Sequence, residues 1–378
     1  MLCCLAQIVL SWPLWYSEAR TLFPLVPVAG LAFRHSSGWV TTQAAVTLLL
    51  PARCVLFPRY RPRLWALPLW FLWMIAQDLN RLQPWMYFYL MVWAVLLLGR
   101  SSDESRMTNT ALCWLVAGVY AWGGFNKLTP YFAADNFPWF CEAFSWTKPL
   151  GQYPVAGYAV ALAELLFAPG LLWRRSRPVF RWIVPAFHLF ILLALSPLGL
   201  NWNTVVIPWN IAMGGMVWIL FRPTPAAPGQ TVGRAQFFGV RSIGIGIILA
   251  FVWVLPALNI FHRWPEALSW KMYSNTQTEA TFYAESGVPC PKLRPVWNRH
   301  AFDNNTKLLI DDWAFEELRV PAFNSRYVFQ QIAQYLCTCS GRSDNAGLYL
   351  LTVQRWNTSD DHWEQIPCSP PLQNSPTQ

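Results

Sequence analysis

Apolar runs about as long as the hydrocarbon layer of a bilayer recur through the first two-thirds of the chain, and no other feature limits its possible folds so strongly. They lie at roughly 1–16, 39–57, 64–82, 84–98, 109–125, 153–172, 182–197, 203–221 and 240–260. The shorter ones need tilt or a thinned bilayer to cross. A backbone inside hydrocarbon must satisfy its own polar groups, so runs of this length predict helices. The expected fold is an all-α polytopic bundle of about nine transmembrane helices over residues 1–261. Proline following the polar stretch that ends at Gln83 predicts a tight turn between the third and fourth runs. Met1 to Tyr16 has neither a basic leading segment nor a small-residue cleavage site, so it is expected to stay as a membrane helix.

Composition supports this division. Hydrophobic residues make up 54% of the chain and charged residues 12%, against about 45–50% and about 25% in soluble proteins. The polar residues collect after Phe261, which predicts a soluble α+β region over residues 262–378. The net charge of +9 is spread in short arginine clusters: Arg59, Arg61 and Arg63; Arg100 and Arg106; Arg174, Arg175, Arg177 and Arg181; Arg222 and Arg234. Clusters between apolar runs act as topology signals and do not form a nucleic-acid footprint, so the expected partner is the lipid bilayer. With all of them inside, the spans alternate consistently and residues 262–378 lie outside a plasma membrane.

That outer region carries Cys290, Cys337, Cys339 and Cys368 in a compartment that permits disulfides. Two bridges admit three connectivities, and the close Cys337 and Cys339 are better suited to reach Cys290 and Cys368 than each other. No His-x-Cys pair or second close cysteine pair points to zinc, and no metal site is expected. Ser325 followed by Val328, Phe329, Ile332 and Leu336 predicts a capped amphipathic helix, and Gly347 to Val353 predicts a strand. Asn304 and Asn357 head glycosylation-type triplets, which matter only on a eukaryotic secretory route.

A charge inside a membrane span costs roughly 2.5–3.5 kcal/mol on insertion scales, so each polar residue there needs a reason. The set is Gln77, Asp78, Asn80 and Arg81; Asn126 and Lys127; Glu164; His188; Asn201 and Asn203; and Asn210. The orientation above puts the Asp78, Lys127 and Asn203 groups near the outer face, with Glu164, His188 and Asn210 deeper. One outward-opening polar pocket can hold them all. Plainer roles also exist. Asp78 and Arg81, three apart, neutralise each other on a helix, Lys127 anchors a span end by snorkelling, and His188 serves as an interhelical hydrogen-bond partner. Glu164, Asn203 and Asn210 then act as structural glue.

The stretch Tyr120-Ala-Trp-Gly-Gly-Phe-Asn-Lys127-Leu-Thr-Pro-Tyr-Phe resembles the aromatic, small-small-x-x-Lys-Leu segment of the vitamin K-dependent gamma-carboxylase (HTTM-type) transmembrane superfamily. Similar small-x-x-Lys segments occur in the DoxX and MauE membrane families. His188 with Leu200-Asn-Trp-Asn-Thr-Val-Val-Ile-Pro-Trp-Asn210 looks like the superfamily's histidine-headed helix and return helix. Asp78 to Tyr87 occupies the place of its aspartate-and-aromatic segment, and Leu268-Ser-Trp-Lys-Met-Tyr273-Ser resembles its aromatic-basic lead into the soluble part. The resemblance covers roughly residues 10–275. It implies a membrane quinol as cofactor and Lys127 as the base that starts its oxygenation, with Asp78, Arg81, His188 and Asn203 lining the site. A lysine acts as a base only when burial disfavours its ammonium form. The chain departs from the carboxylases at Gln83-Pro-Trp-Met-Tyr87, which has no histidine, and its soluble part is shorter. Two alternatives stay open: a DoxX-like subunit that supports a separate membrane redox partner without catalytic machinery, and a transporter or lipid-handling protein. Against the transporter, no pair of Gly/Pro-broken half-helices is visible.

Overall fold

Each predicted apolar run contains a helix in the computed structural model of the chain. The structure describes residues 1–30, 36–57, 62–99, 105–222, 240–284, 292, 294, 301–302, 307–340, 348–355 and 359–365. The helices of the first part are α1 (Leu2–Leu10), α2 (Ser37–Leu56), α3 (Pro62–Gln77), α4 (Pro84–Leu98), α5 (Ser105–Lys127), α6 (Pro154–Leu172), α7 (Arg177–Leu195), α8 (Val206–Leu220) and α9 (Val240–Trp253). Among the described residues, four helical stretches are long and apolar enough to cross a membrane: Ser37–Leu56, Pro154–Leu172, Arg177–Leu195 and Arg241–Phe261. Trp65–Gln77, Pro84–Leu98 and Val206–Leu220 are apolar but shorter. The longest helix, α5, is outside the set of four because polar residues stand at both of its ends, including Thr108, Asn109, Asn126 and Lys127.

The helices carry apolar side chains on their outward faces. Val155, Tyr158, Leu162 and Leu166 of α6 are all exposed, at helical spacing. Val179, Trp182, Ile183 and Leu189 of α7 and Ile243, Ile247 and Phe251 of α9 repeat the pattern. A soluble protein leaves no such continuous apolar faces to water, whereas lipid tails accept them.

The chain divides into two compact units, neither continuous in sequence. The first comprises Met1–Leu10, Ala45–Leu72 and Gln83–Thr276, and the second Ser11–Ala44, Trp73–Leu82 and Gln277–Gln378. The second unit contains a five-stranded sheet of order β2-β3-β1-β4-β5, formed by β1 (Glu279–Ala284), β2 (Ala301–Phe302), β3 (Lys307–Leu309), β4 (Leu348–Arg355) and β5 (Ser359–Gln365). Every pairing is antiparallel. Phe282, Leu308 and Leu350 are buried from the sheet, as are Ile310, Trp313, Ala314 and Leu318 of α10 (Ile310–Leu318).

The predicted amphipathic helix forms as α11 (Arg326–Ser340), with Val328, Phe329, Ile332 and Leu336 buried. Ser325 Oγ accepts from the Val328 N–H at 3.3 Å, satisfying one of the free donors at the helix start. The strand read from Gly347 to Val353 appears as β4. Cys337 is disulfide-bonded. Cys290, Cys368 and the side chain of Cys339 lie outside the described residues.

One carboxylate ties distant segments of the second unit together. Glu317 Oε2 accepts from three successive main-chain N–H groups, Thr21 at 2.9 Å, Leu22 at 2.7 Å and Phe23 at 2.8 Å. The Trp313 indole donates to its Oε1 at 2.8 Å. Such a concave row of N–H groups is an anion receptor that the fold fills with its own side chain. Tyr327 adds a second tie, donating to the Pro27 carbonyl at 2.7 Å and accepting from the Gly30 N–H at 2.9 Å.

Candidate functional site

One face of α5 organises the polar residues of the first unit. Tyr120, Gly123, Gly124 and Lys127 stand at i, i+3, i+4 and i+7 and so line up over two helical turns. A β-carbon at Gly124 would meet the backbone of α6, 2.6 Å from Leu165 Cα and 2.8 Å from the Ala161 carbonyl oxygen. The glycine thus permits the two helices to touch main chain to main chain. A β-carbon at Gly123 would lie 2.7 Å from Glu164 Oε1, so this second glycine makes room for the carboxylate itself. The small-small-x-x-Lys segment therefore has a mechanical role. It lets Glu164 reach Lys127.

The resulting ion pair has the Lys127 amine 3.0 Å from both Glu164 carboxylate oxygens, and Lys127 also donates to the Gly123 carbonyl at 3.2 Å. The two side chains retain 11% and 12% exposure, so the pair is largely withdrawn from solvent without being sealed. Removing one partner of such a pair typically costs 3–5 kcal/mol, because it strands the other charge.

A hydrogen-bonded chain joins α5, α7 and α8. Asn210 Nδ2 donates to the Val206 carbonyl at 2.8 Å, leaving Oδ1 to face His188 Nδ1 at 2.8 Å. Oδ1 only accepts, so Nδ1 carries the hydrogen and Nε2 presents its lone pair. The Tyr120 hydroxyl, 2.7 Å away, donates to that lone pair. Polarity runs one way, from Tyr120 through His188 to Asn210. The role is that of interhelical partner, with both ring nitrogens of the histidine engaged.

No family model, no curated protein and no solved structure matches this chain. The roles of its residues therefore rest on their own geometry.

The candidate residues divide between the two units. Lys127, Glu164, His188, Asn203 and Asn210 belong to the first, and Asp78 and Arg81 to the second. Asn203 has a local part, its Oδ1 accepting from the Val205 N–H at 3.0 Å just before α8. Asp78 caps a short 3-10 turn, Leu79–Arg81, that ends with Arg81, but Asp78 pairs with Arg20 at 2.6 Å rather than with Arg81. Nothing in the sequence marks Arg20 as that partner. Tyr120 escaped the candidate set too, although its place seven residues before Lys127 puts it on the same helical face.

The segment resembling the aromatic-basic lead is strained. Trp270, Tyr273 and Asn275 all adopt left-handed backbone, with φ of 60°, 55° and 55°. Such conformations cost about 1–3 kcal/mol each and persist only where surroundings enforce them. Here Asn126 donates to the Ser269 carbonyl at 2.7 Å, and Asn275 donates to Asp135 at 3.0 Å. Buried Lys271 reaches Glu266 at 3.0 Å and the Thr276 carbonyl at 3.3 Å.

Proposed function

We propose that this chain is a plasma-membrane protein crossing about nine times, with residues 262–378 outside, and that Lys127 and Glu164 form a quinol-handling site of the kind its resemblance to the carboxylase-like superfamily implies. The observation that carries the reading is the Lys127–Glu164 pair, a proton-accepting carboxylate beside a fixed cation within an apolar bundle. The resemblance implies Lys127 as the base. An ammonium already donating to a carboxylate has no lone pair to take a proton, so the base is Glu164. A quinol entering from the lipid presents a phenolic O–H. Glu164 accepts that proton, and Lys127 offsets the charge left on the oxygen. Tyr120, His188 and Asn210 hold the surrounding helices in register.

Two observations support the orientation. Arg174, Arg175, Arg177 and Arg181 cluster at the turn between α6 and α7, as cytoplasmic turns do. The bonded Cys337 suits an oxidising compartment. Reporters fused after Arg63, Arg177 and Arg234 should read cytoplasmic, and one fused near residue 290 external. A cytoplasmic signal from the last would overturn the map.

The site is tested on protein purified in mild detergent by extracting bound quinone. Wild type should retain it, Lys127→Met and Glu164→Gln should lose it while remaining folded, and Lys127→Arg should keep part. Absence of quinone from wild type, or equal retention in all variants, defeats the quinol reading. The internal pairing of Lys127, Glu164 and His188 also suits a non-catalytic subunit of a membrane redox system. A redox partner recovered equally with wild type and Lys127→Met, without quinone, would select that reading.

A further inference from the structure

In the second unit two buried guanidinium groups, Arg20 and Arg81, share one carboxylate among the described residues, Asp78, which pairs with Arg20. Asp78, Arg20 and Arg81 are withdrawn from solvent, with 0%, 3% and 3% exposure. Asp78 is fully engaged. One oxygen pairs with Arg20 at 2.6 Å, and the other accepts from the main-chain N–H groups of Val26 at 3.3 Å and Asn80 at 3.2 Å and from the Asn80 amide at 2.9 Å. Arg81 has no carboxylate within ion-pair distance among the described residues. Its Nε donates to the Leu14 carbonyl at 3.0 Å and its Nη1 to the Met74 carbonyl at 2.8 Å. These two neutral oxygens fix the plane of the guanidinium. Nη2 has no hydrogen-bond partner among the described residues. Glu317, another buried carboxylate of this unit, is already committed to the Thr21, Leu22 and Phe23 N–H groups and to Trp313.

A buried guanidinium without a counter-charge is costly, and arginine cannot relieve the cost by shedding its proton. A bound anion relieves it. Arg81 closes the 3-10 turn that follows the apolar helix α3, which ends at Gln77, and the end of an apolar helix is the depth at which lipid phosphates lie. We infer that Arg81, held by Leu14 and Met74 with Arg20 beside it, forms a receptor for a phosphate oxyanion, supplied either by a lipid headgroup or as free phosphate. The lipid source rests on the membrane reading above; the free-phosphate source does not, and neither depends on Lys127.

The experiment uses the full chain in detergent. In its first arm, native mass spectrometry counts phospholipid retained by wild type and by Arg81→Gln. In its second, delipidated protein is melted against inorganic phosphate, with chloride at equal ionic strength as the control. A phospholipid retained by wild type and lost in Arg81→Gln assigns the site to a lipid headgroup. A saturable rise in melting temperature with phosphate, absent from Arg81→Gln, assigns it to free phosphate. If neither occurs, or if Arg81→Gln behaves as wild type in both arms, the inference is overturned. Should the glutamine variant not fold, Arg81→Lys keeps the charge but cannot hold both carbonyls and an anion with one fork, so its phosphate affinity should fall about tenfold. Unchanged affinity in the lysine variant also overturns it.

Discussion

Substituting Gly124→Ala should loosen the bundle and its ion pair together. The added β-carbon would lie 2.6 Å from Leu165 Cα and 2.8 Å from the Ala161 oxygen, where ordinary contacts are 3.4–4 Å. Both obstacles are main-chain atoms, so no rotamer change relieves them, and α6 must retreat by about 1 Å. Overpacking of this kind costs about 1–3 kcal/mol, against which the better helix propensity of alanine returns at most about 1 kcal/mol. The retreat also carries Glu164 away from Lys127, stretching a 3.0 Å contact beyond hydrogen-bond reach and forfeiting part of the 3–5 kcal/mol at stake in a buried pair. The expected total is about 2–4 kcal/mol, read as a lowered unfolding midpoint in detergent. Gly215→Ala is the matched control, since nothing lies within 4 Å of its new β-carbon, and it should be neutral or stabilising by up to about 1 kcal/mol. Gly123→Ala meets side-chain ends, Glu164 Oε1 at 2.7 Å and Lys127 Nζ at 3.9 Å, so it should spare the fold and disturb the pair. Equal stability for Gly124→Ala and Gly215→Ala would refute this account of the helix contact.

Three further outcomes are expected in the second unit. Glu317→Gln keeps an oxygen but removes the charge that three N–H groups address, so it should cost about 2–3 kcal/mol and speed hydrogen exchange at Thr21, Leu22 and Phe23; unaltered exchange there would discredit the clasp. Burial pushes the Asp311 carboxyl up to about 7 from an ordinary 3.8, although the Ala322 N–H pulls the other way. The folded state therefore holds a proton that the unfolded chain lacks between those values, and this group's contribution to stability falls as pH rises from about 4 to about 7. Asp311→Asn should stabilise the chain at pH 8 and change little at pH 4, the gain being at most about 4 kcal/mol and smaller because the residue is partly accessible; a pH-independent difference in denaturant midpoint would count against it. Alkylation of isolated membranes should label Cys337 only after reduction, and labelling without reductant would remove the support it gives to an external location.

The positions of the helices, the turn before Pro84 and the Ser325-capped helix were all determined by the sequence, because each depends on residues within a few positions of one another. Apolar run length, the fixed φ of proline and a serine ahead of an amphipathic stretch act locally. Pairing did not follow from local rules. The three-residue spacing of Asp78 and Arg81 suggests mutual neutralisation on a helix, yet Asp78 is an extended residue capping a 3-10 turn, with φ of −156° and ψ of 108°, so helical spacing does not apply there. Its carboxylate is taken by Arg20, 58 positions away. Lys127 was legible as an unusual membrane lysine, but its partnership with Glu164 depends on two glycines that let α5 and α6 approach, and the Tyr120 bond to His188 spans 68 positions. Only the tertiary structure decides such contacts, because which distant groups meet depends on how closely whole helices pack.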